Sequence, residues 1–168
     1  MKILTFGEIM LRLKTPEHLQ IVQANGFEAS YGGAESNVAV SLSTLGDDAA
    51  FLTKLPDNPV GNAAFNELRR YGVDTSRILR GGPRLGIYYF EKGNDIRPTS
   101  VLYDRAGSAL AKASATEFDW ESLLSGIDIF FFSGVTPAIS PSVEQAVSNA
   151  LNYCHTHGIT VICDLHYR

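Results

Sequence analysis

Apolar residues fall in short extended runs separated by stretches of helical spacing, the pattern of an alternating α/β chain. Residues 2–6 and 49–53 read as buried strands. Residues 127–132 form a continuous apolar run of the kind a central parallel strand needs, and 160–165 read as the last strand. Three helices lie between them. The first spans 34–45, with Val38, Leu42 and Leu45 on one stripe and Gly46 as its stop. The second opens at Asn58-Pro59, a cap followed by proline at the first helical position. It turns Val60, Ala64 and Leu68 inward and stops at Gly72. The third opens at Ser140-Pro141, carries Val143, Ala146, Val147, Ala150, Leu151 and Cys154 on one face, and ends at Gly158. Residues 85–91 and 99–105 switch to period two and are joined by a polar, turn-rich connection, which predicts a β-ribbon inserted between helices as a lid. Residues 5–14 alternate imperfectly and 27–31 are extended, so both could add strands outside the main sheet.

Strand, helix, strand in this order predicts a parallel sheet flanked by helices, with ligand bound beyond the carboxyl ends of the strands. Glu8, the Gly32-Gly33 turn, Ser133-Gly134 and Arg168 follow predicted strands and satisfy that rule. The run YGGAESNVAVSLSTLG from Tyr31 joins two glycines to a helix start. Gly32 and Gly33 would permit positive φ and a close approach of backbone to a bound molecule, whereas the alternative is a tight turn with no ligand. Tyr103 and Arg105 are two apart on a predicted strand and share a face, which Tyr88 joins if the register allows. An arginine fork suits a carboxylate, and tyrosine hydroxyls and the Asn37 amide suit sugar hydroxyls. The competing readings are packing inside a lid for Tyr88, a solvated strand end for Arg105, and a turn or cap for Glu8.

Charge and size narrow the partners. The chain has 168 residues, 45% of them hydrophobic, with a formal net charge of −4. Without clustered Lys and Arg, no nucleic-acid partner is expected. No apolar run reaches the roughly 18 residues of a membrane span and no leader opens the chain, so a soluble, cytoplasmic protein is expected. Cys154 and Cys163 lack metal or disulfide spacing and read as buried thiols. His155 and His157 point apart on a helix and read as surface residues, and no metal site is predicted.

The run GGAESNVAVSLSTLG with FLTKLPDNPVGNAAFNELRRYGVDTS resembles the amino-terminal signature of the ribokinase-like (PfkB) carbohydrate kinases. GIYYFEKGNDIRPTSVLYDRAGSAL, FFFSGVTPAIS and the closing DLHYR are similar to one branch, the 2-keto-3-deoxygluconate kinases. The resemblance implies a ribokinase-like fold with lid strands near 10–32 and 85–105. It also implies ATP and Mg²⁺ as cofactors, and phosphorylation of 2-keto-3-deoxygluconate to its 6-phosphate. Positions matching Gly33, Ala34, Glu35, Asn37, Tyr88, Tyr103, Arg105 and Arg168 would contact the sugar acid, with the two arginines on its carboxylate. Glu8 joins them as a candidate for a sugar hydroxyl. A homodimer through the β lid is a further implication.

The chain departs from that pattern in two places. His166 stands where the family's closing motif usually has Asn, and it is not read as a general base. The Gly-Ala-Gly-Asp run that supplies the family's catalytic Asp and anion hole does not occur. The expectation is therefore the sugar-binding half of the fold, inactive alone, with no assignable base or nucleotide pocket. The rival readings are a fructokinase-like or other sugar kinase, or a sugar-acid binding module without catalysis.

Overall fold

A computed structural model describes residues 1–166. Strands β1 (Lys2–Phe6), β2 (Met10–Lys14) and β3 (Glu28–Gly32) lead into helix α1 (Ala34–Thr44). Strands β4 (Asp48–Leu52) and β5 (Lys54–Leu55) precede α2 (Pro59–Arg70), and β6 (Leu79–Arg80), β7 (Ile87–Glu91) and β8 (Ser100–Asp104) follow it. The chain then runs through α3 (Trp120–Leu123), β9 (Ile129–Ser133), α4 (Pro141–His157) and β10 (Thr160–Asp164). Four of these strands form an all-parallel sheet in the order β10-β9-β1-β4.

Alternation along those strands divides the core into two layers. Leu4 and Phe6, with their registered neighbours Ala50, Leu52, Phe130 and Phe132, face α3 and α4 and bury Trp120, Val143, Val147 and Cys154. Phe51 faces the other way, onto Ala39 of α1 and Ala64 and Leu68 of α2. The predicted caps form as read. Asn58 Oδ1 accepts from Gly61 N at 2.9 Å, Ser140 Oγ from Val143 N at 3.3 Å, and Gly158 closes α4 in the left-handed region.

Several expectations change with packing. Leu45 lies beyond the end of α1 and is 80% exposed, while the inward face of that helix is Glu35, Ser36 and Ala39. The first turn of α1 packs against the carboxyl ends of β1 and β9, where hydrogen-bonding groups rather than methyls await it. In α2 the inward line is Gly61, Ala64 and Leu68, and Val60 is 41% exposed. Gly61 sets this phase because a side chain there would overlap the Pro56 carbonyl. Cys163 is exposed rather than buried, since β10 borders the sheet and pairs with β9 alone among the described residues. The ribbon is also more than a hairpin. Strands β7 and β8 are antiparallel, but β7 is parallel to β2, giving a second sheet in the order β3-β2-β7-β8.

A buried carboxylate fixes where α1 begins. Glu35 is 2% exposed, and its Oε1 accepts from Ser133 N at 3.0 Å, Ser133 Oγ at 2.5 Å and Thr136 Oγ1 at 2.7 Å. Its carbonyl accepts from Thr5 Oγ1 at 3.1 Å, and its side chain occupies the space a Cβ on Gly7 would need. Neither Gly32 nor Gly33 has positive φ, contrary to the sequence expectation. Gly33 is extended at φ −175°, and glycine is required there because a Cβ would overlap the Glu8 carbonyl.

Two stability results follow. Phe130→Ala, which empties the aromatic core beside Phe6 and Trp120, should cost about 3–5 kcal/mol in urea unfolding, whereas Val60→Ala should change stability by less than about 0.5 kcal/mol. Glu35→Ala should cost roughly 2–4 kcal/mol by stranding buried donors, and Glu35→Gln, which keeps an acceptor oxygen, should lose clearly less in the same measurement.

Candidate functional site

The second sheet roofs a cavity of about 300 Å³ over the start of α1. Register decides which side chains face it. Arg12 on β2 lies opposite Tyr88 on β7, and Tyr88 lies opposite Tyr103 on β8, so the three share one row. Two residues along each strand, Phe90 and Val101 form the next row, and Met10 sits on the same face of β2. The floor is Gly33, Ala34, Glu35 and Asn37, and Glu8, Arg105, Val135 and His166 close the sides.

Polar groups converge on the floor. The Tyr88 hydroxyl and Asn37 Oδ1 both overhang Gly32, so that a Cβ there would lie 3.5 Å and 3.4 Å from them. Gly33 N donates to Asn37 Oδ1 across a long 3.5 Å. The rings of Tyr88 and Tyr103 are 5.8 Å apart. Burial raises the Tyr88 pKa, opposed by the Arg12 charge and aided by Tyr103. Its phenol therefore stays protonated, and able to donate, throughout the neutral range.

Glu8 and Arg105 form an ion pair at the edge of the cavity. Glu8 is 5% exposed. Its Oε2 accepts from Arg105 Nε at 2.8 Å and lies 2.6 Å from the other guanidinium nitrogen, while Oε1 accepts from Ser108 Oγ at 2.5 Å. Arg105 is thus neither a solvated strand end nor an unbalanced charge. Just outside, Arg84 forks onto Asp104 at 2.9 and 3.0 Å, which holds the Asp104 carboxyl below its usual range and ties the approach to β7 to the end of β8.

Of the residues named from sequence, Gly33, Ala34, Glu35, Asn37, Tyr88, Tyr103, Arg105 and Glu8 all line this one cavity. Glu35 does so mainly with its back, since its Oε1 is occupied by β9 and the loop after it. Arg168 lies outside the described residues. Sequence reasoning missed Arg12, Met10, Phe90 and Ser108. The parity of Met10 and Arg12 is visible in the alternation of residues 10–14, but its meaning depends on pairing with a strand 76 residues away. His166 lines the cavity with φ 52°, and its backbone N donates to Asp164 Oδ1 at 3.0 Å. Among the described residues, no group of three or more His, Cys, Asp or Glu is placed to hold a metal ion, and no helix is long and apolar enough to cross a membrane. The cavity fits a small polar molecule.

Known proteins share this fold. A 2-dehydro-3-deoxygluconokinase from Thermotoga maritima superposes with a TM-score of 0.97 at 50% identity, over 100% of this chain and 52% of that one. A 2-dehydro-3-deoxygalactonokinase from Haloferax volcanii is 41% identical over 99% of this chain and 52% of its own length. A 5-dehydro-2-deoxygluconokinase from Clostridium tetani is 33% identical over 87% of this chain and 43% of its own. The chain spans about half the length of these relatives. The sequence pattern of pfkB family carbohydrate kinases matches residues 1–167, and the chain belongs to that family.

Proposed function

We propose that this chain supplies the acceptor-binding part of an ATP-dependent kinase for a 2-keto-3-deoxy sugar acid, with 2-keto-3-deoxygluconate as substrate and its 6-phosphate as product. The observation that carries this reading is the composition of the cavity: a polyol-binding set of Asn37, Tyr88 and Tyr103 beside guanidinium groups. A neutral sugar needs only the first set. A sugar acid needs both.

In this reading the Gly33-Ala34 backbone and Asn37 fix the hydroxyl end, and the tyrosines bridge mid-chain hydroxyls. Arg105 lends its remaining N–H groups to the carboxyl end, which Arg168 also serves. Glu8 anchors Arg105 and Glu35 anchors the floor. Phosphoryl transfer depends on aligning the acceptor and stabilising the transferred group, and this chain provides the alignment. ATP and Mg²⁺, with the base, are assigned to residues beyond these 168. The exposed edge strand β8, which presents Val101, Leu102 and Tyr103, is assigned to contact between two copies of the full protein, a dimer that light scattering would detect.

A coupled ADP-release assay on the full-length protein, with 2-keto-3-deoxygluconate, its galacto epimer and fructose, tests the reading. Turnover with the sugar acids and little with fructose is expected, and preference for fructose overturns it. The 168 residues alone should bind the sugar acid in calorimetry yet release no ADP. Arg105→Ala should weaken sugar-acid binding by about ten- to a hundredfold, because it removes charge-assisted donors and leaves the Glu8 carboxylate unpaired beside the ligand.

A further inference from the structure

The cavity has two described guanidinium groups, and their charges are not equivalent. Arg105 is balanced by Glu8 through two close contacts, at 2.6 and 2.8 Å. Arg12 has no carboxylate within ion-pair distance and makes no hydrogen bond among the described residues. Its Nε is buried without a partner. What holds Arg12 is the aromatic ring of Phe90, whose centroid lies 4.1 Å from the guanidinium carbon. Such stacking orients the plane of the fork but does not neutralise it. The neighbouring cation on β2, Lys14, is paired with Glu28 at 2.8 Å and is not available to the cavity.

The remaining charges sharpen the point. Of the two carboxylates that line the space, Glu8 is balanced by Arg105 and Glu35 is met only by neutral donors, so an anionic substrate meets repulsion unless an uncompensated cation offsets it. Arg105 has N–H groups to lend, but its charge is already balanced by Glu8. We propose that Arg12 is the residue that selects the carboxylate of the substrate, an inference that rests on the sugar-acid reading above. Its place in one row with Tyr88 and Tyr103 puts the charged fork beside the hydroxyl-binding tyrosines, so a single short ligand can engage both. A buried donor left unpaired is costly until an acceptor arrives. Binding of the carboxylate is therefore favoured over binding of an alcohol of the same shape.

The test uses the full-length protein and two ligands in calorimetric titration: 2-keto-3-deoxygluconate, and the analogue with CH₂OH in place of the carboxylate. The unmodified protein should bind the acid the more tightly. Arg12→Gln should weaken acid binding by about ten- to a hundredfold while changing analogue binding by no more than about twofold, which also certifies that the cavity is intact. Arg12→Lys, which keeps the charge but not the planar fork, should recover part of the loss. If the unmodified protein prefers the acid and Arg12→Gln keeps that preference, the role given to Arg12 is wrong and the sugar-acid reading survives. Equal loss for both ligands also overturns selection by Arg12, since it marks a general effect on the cavity. If the unmodified protein has no preference for the acid, the sugar-acid reading fails and the inference fails with it.

Discussion

The buried Glu35 carboxylate joins three parts of the chain that are far apart in sequence: the end of β1, the start of α1 and the turn after β9. Three donors converge on one of its oxygens, and its own backbone carbonyl is tied to Thr5. Each of those donors lies where the parallel sheet ends and backbone groups lose their ladder partners. A hydrocarbon side chain would leave these buried donors unsatisfied. The polar inward face of α1, its weak apolar stripe and the glycines at positions 7 and 33 all follow from fitting this carboxylate and the adjacent backbone into one small space.

With the floor fixed in this way, the second sheet completes the cavity. Its inward face combines aromatic surface with hydroxyl and guanidinium groups. Tyr88 and Tyr103 pack on each other, Arg12 on Phe90, and Arg105 on Glu8. The cavity wall is thereby largely organised without a ligand, which lowers the entropy lost on binding a small molecule. Family membership and the shared fold give this arrangement its kinase context, over roughly half of the relatives' length.

The two ends of the charge scale meet at the cavity mouth. Glu8 and Arg105 neutralise each other so closely that the pair acts as a rigid, hydrogen-bonded wall more than as a source of field. The charge left unbalanced in the cavity is that of Arg12, whose Nε has no partner among the described residues. For a pair of partly buried ions, removal of one partner matters far more than the presence of both.

Local sequence determined the strands of the main sheet, the Asn58-Pro59 and Ser140-Pro141 helix starts, the Gly158 stop and the family, because each is written within a few adjacent residues. Most of the residues that line the cavity were legible for the same reason, through the glycine run at α1 and the shared face of Tyr103 and Arg105. Tertiary structure alone decided that Arg12 stands beside Tyr88, that Glu8 belongs to Arg105, that α1 turns a carboxylate inward, and that Val60 and Cys163 face outward. A chain segment sets the periodicity of its own side chains, but which face is covered depends on partners brought in from distant positions. Only the register between β2 and β7 could turn a weak alternation near the amino terminus into the roof of a cavity.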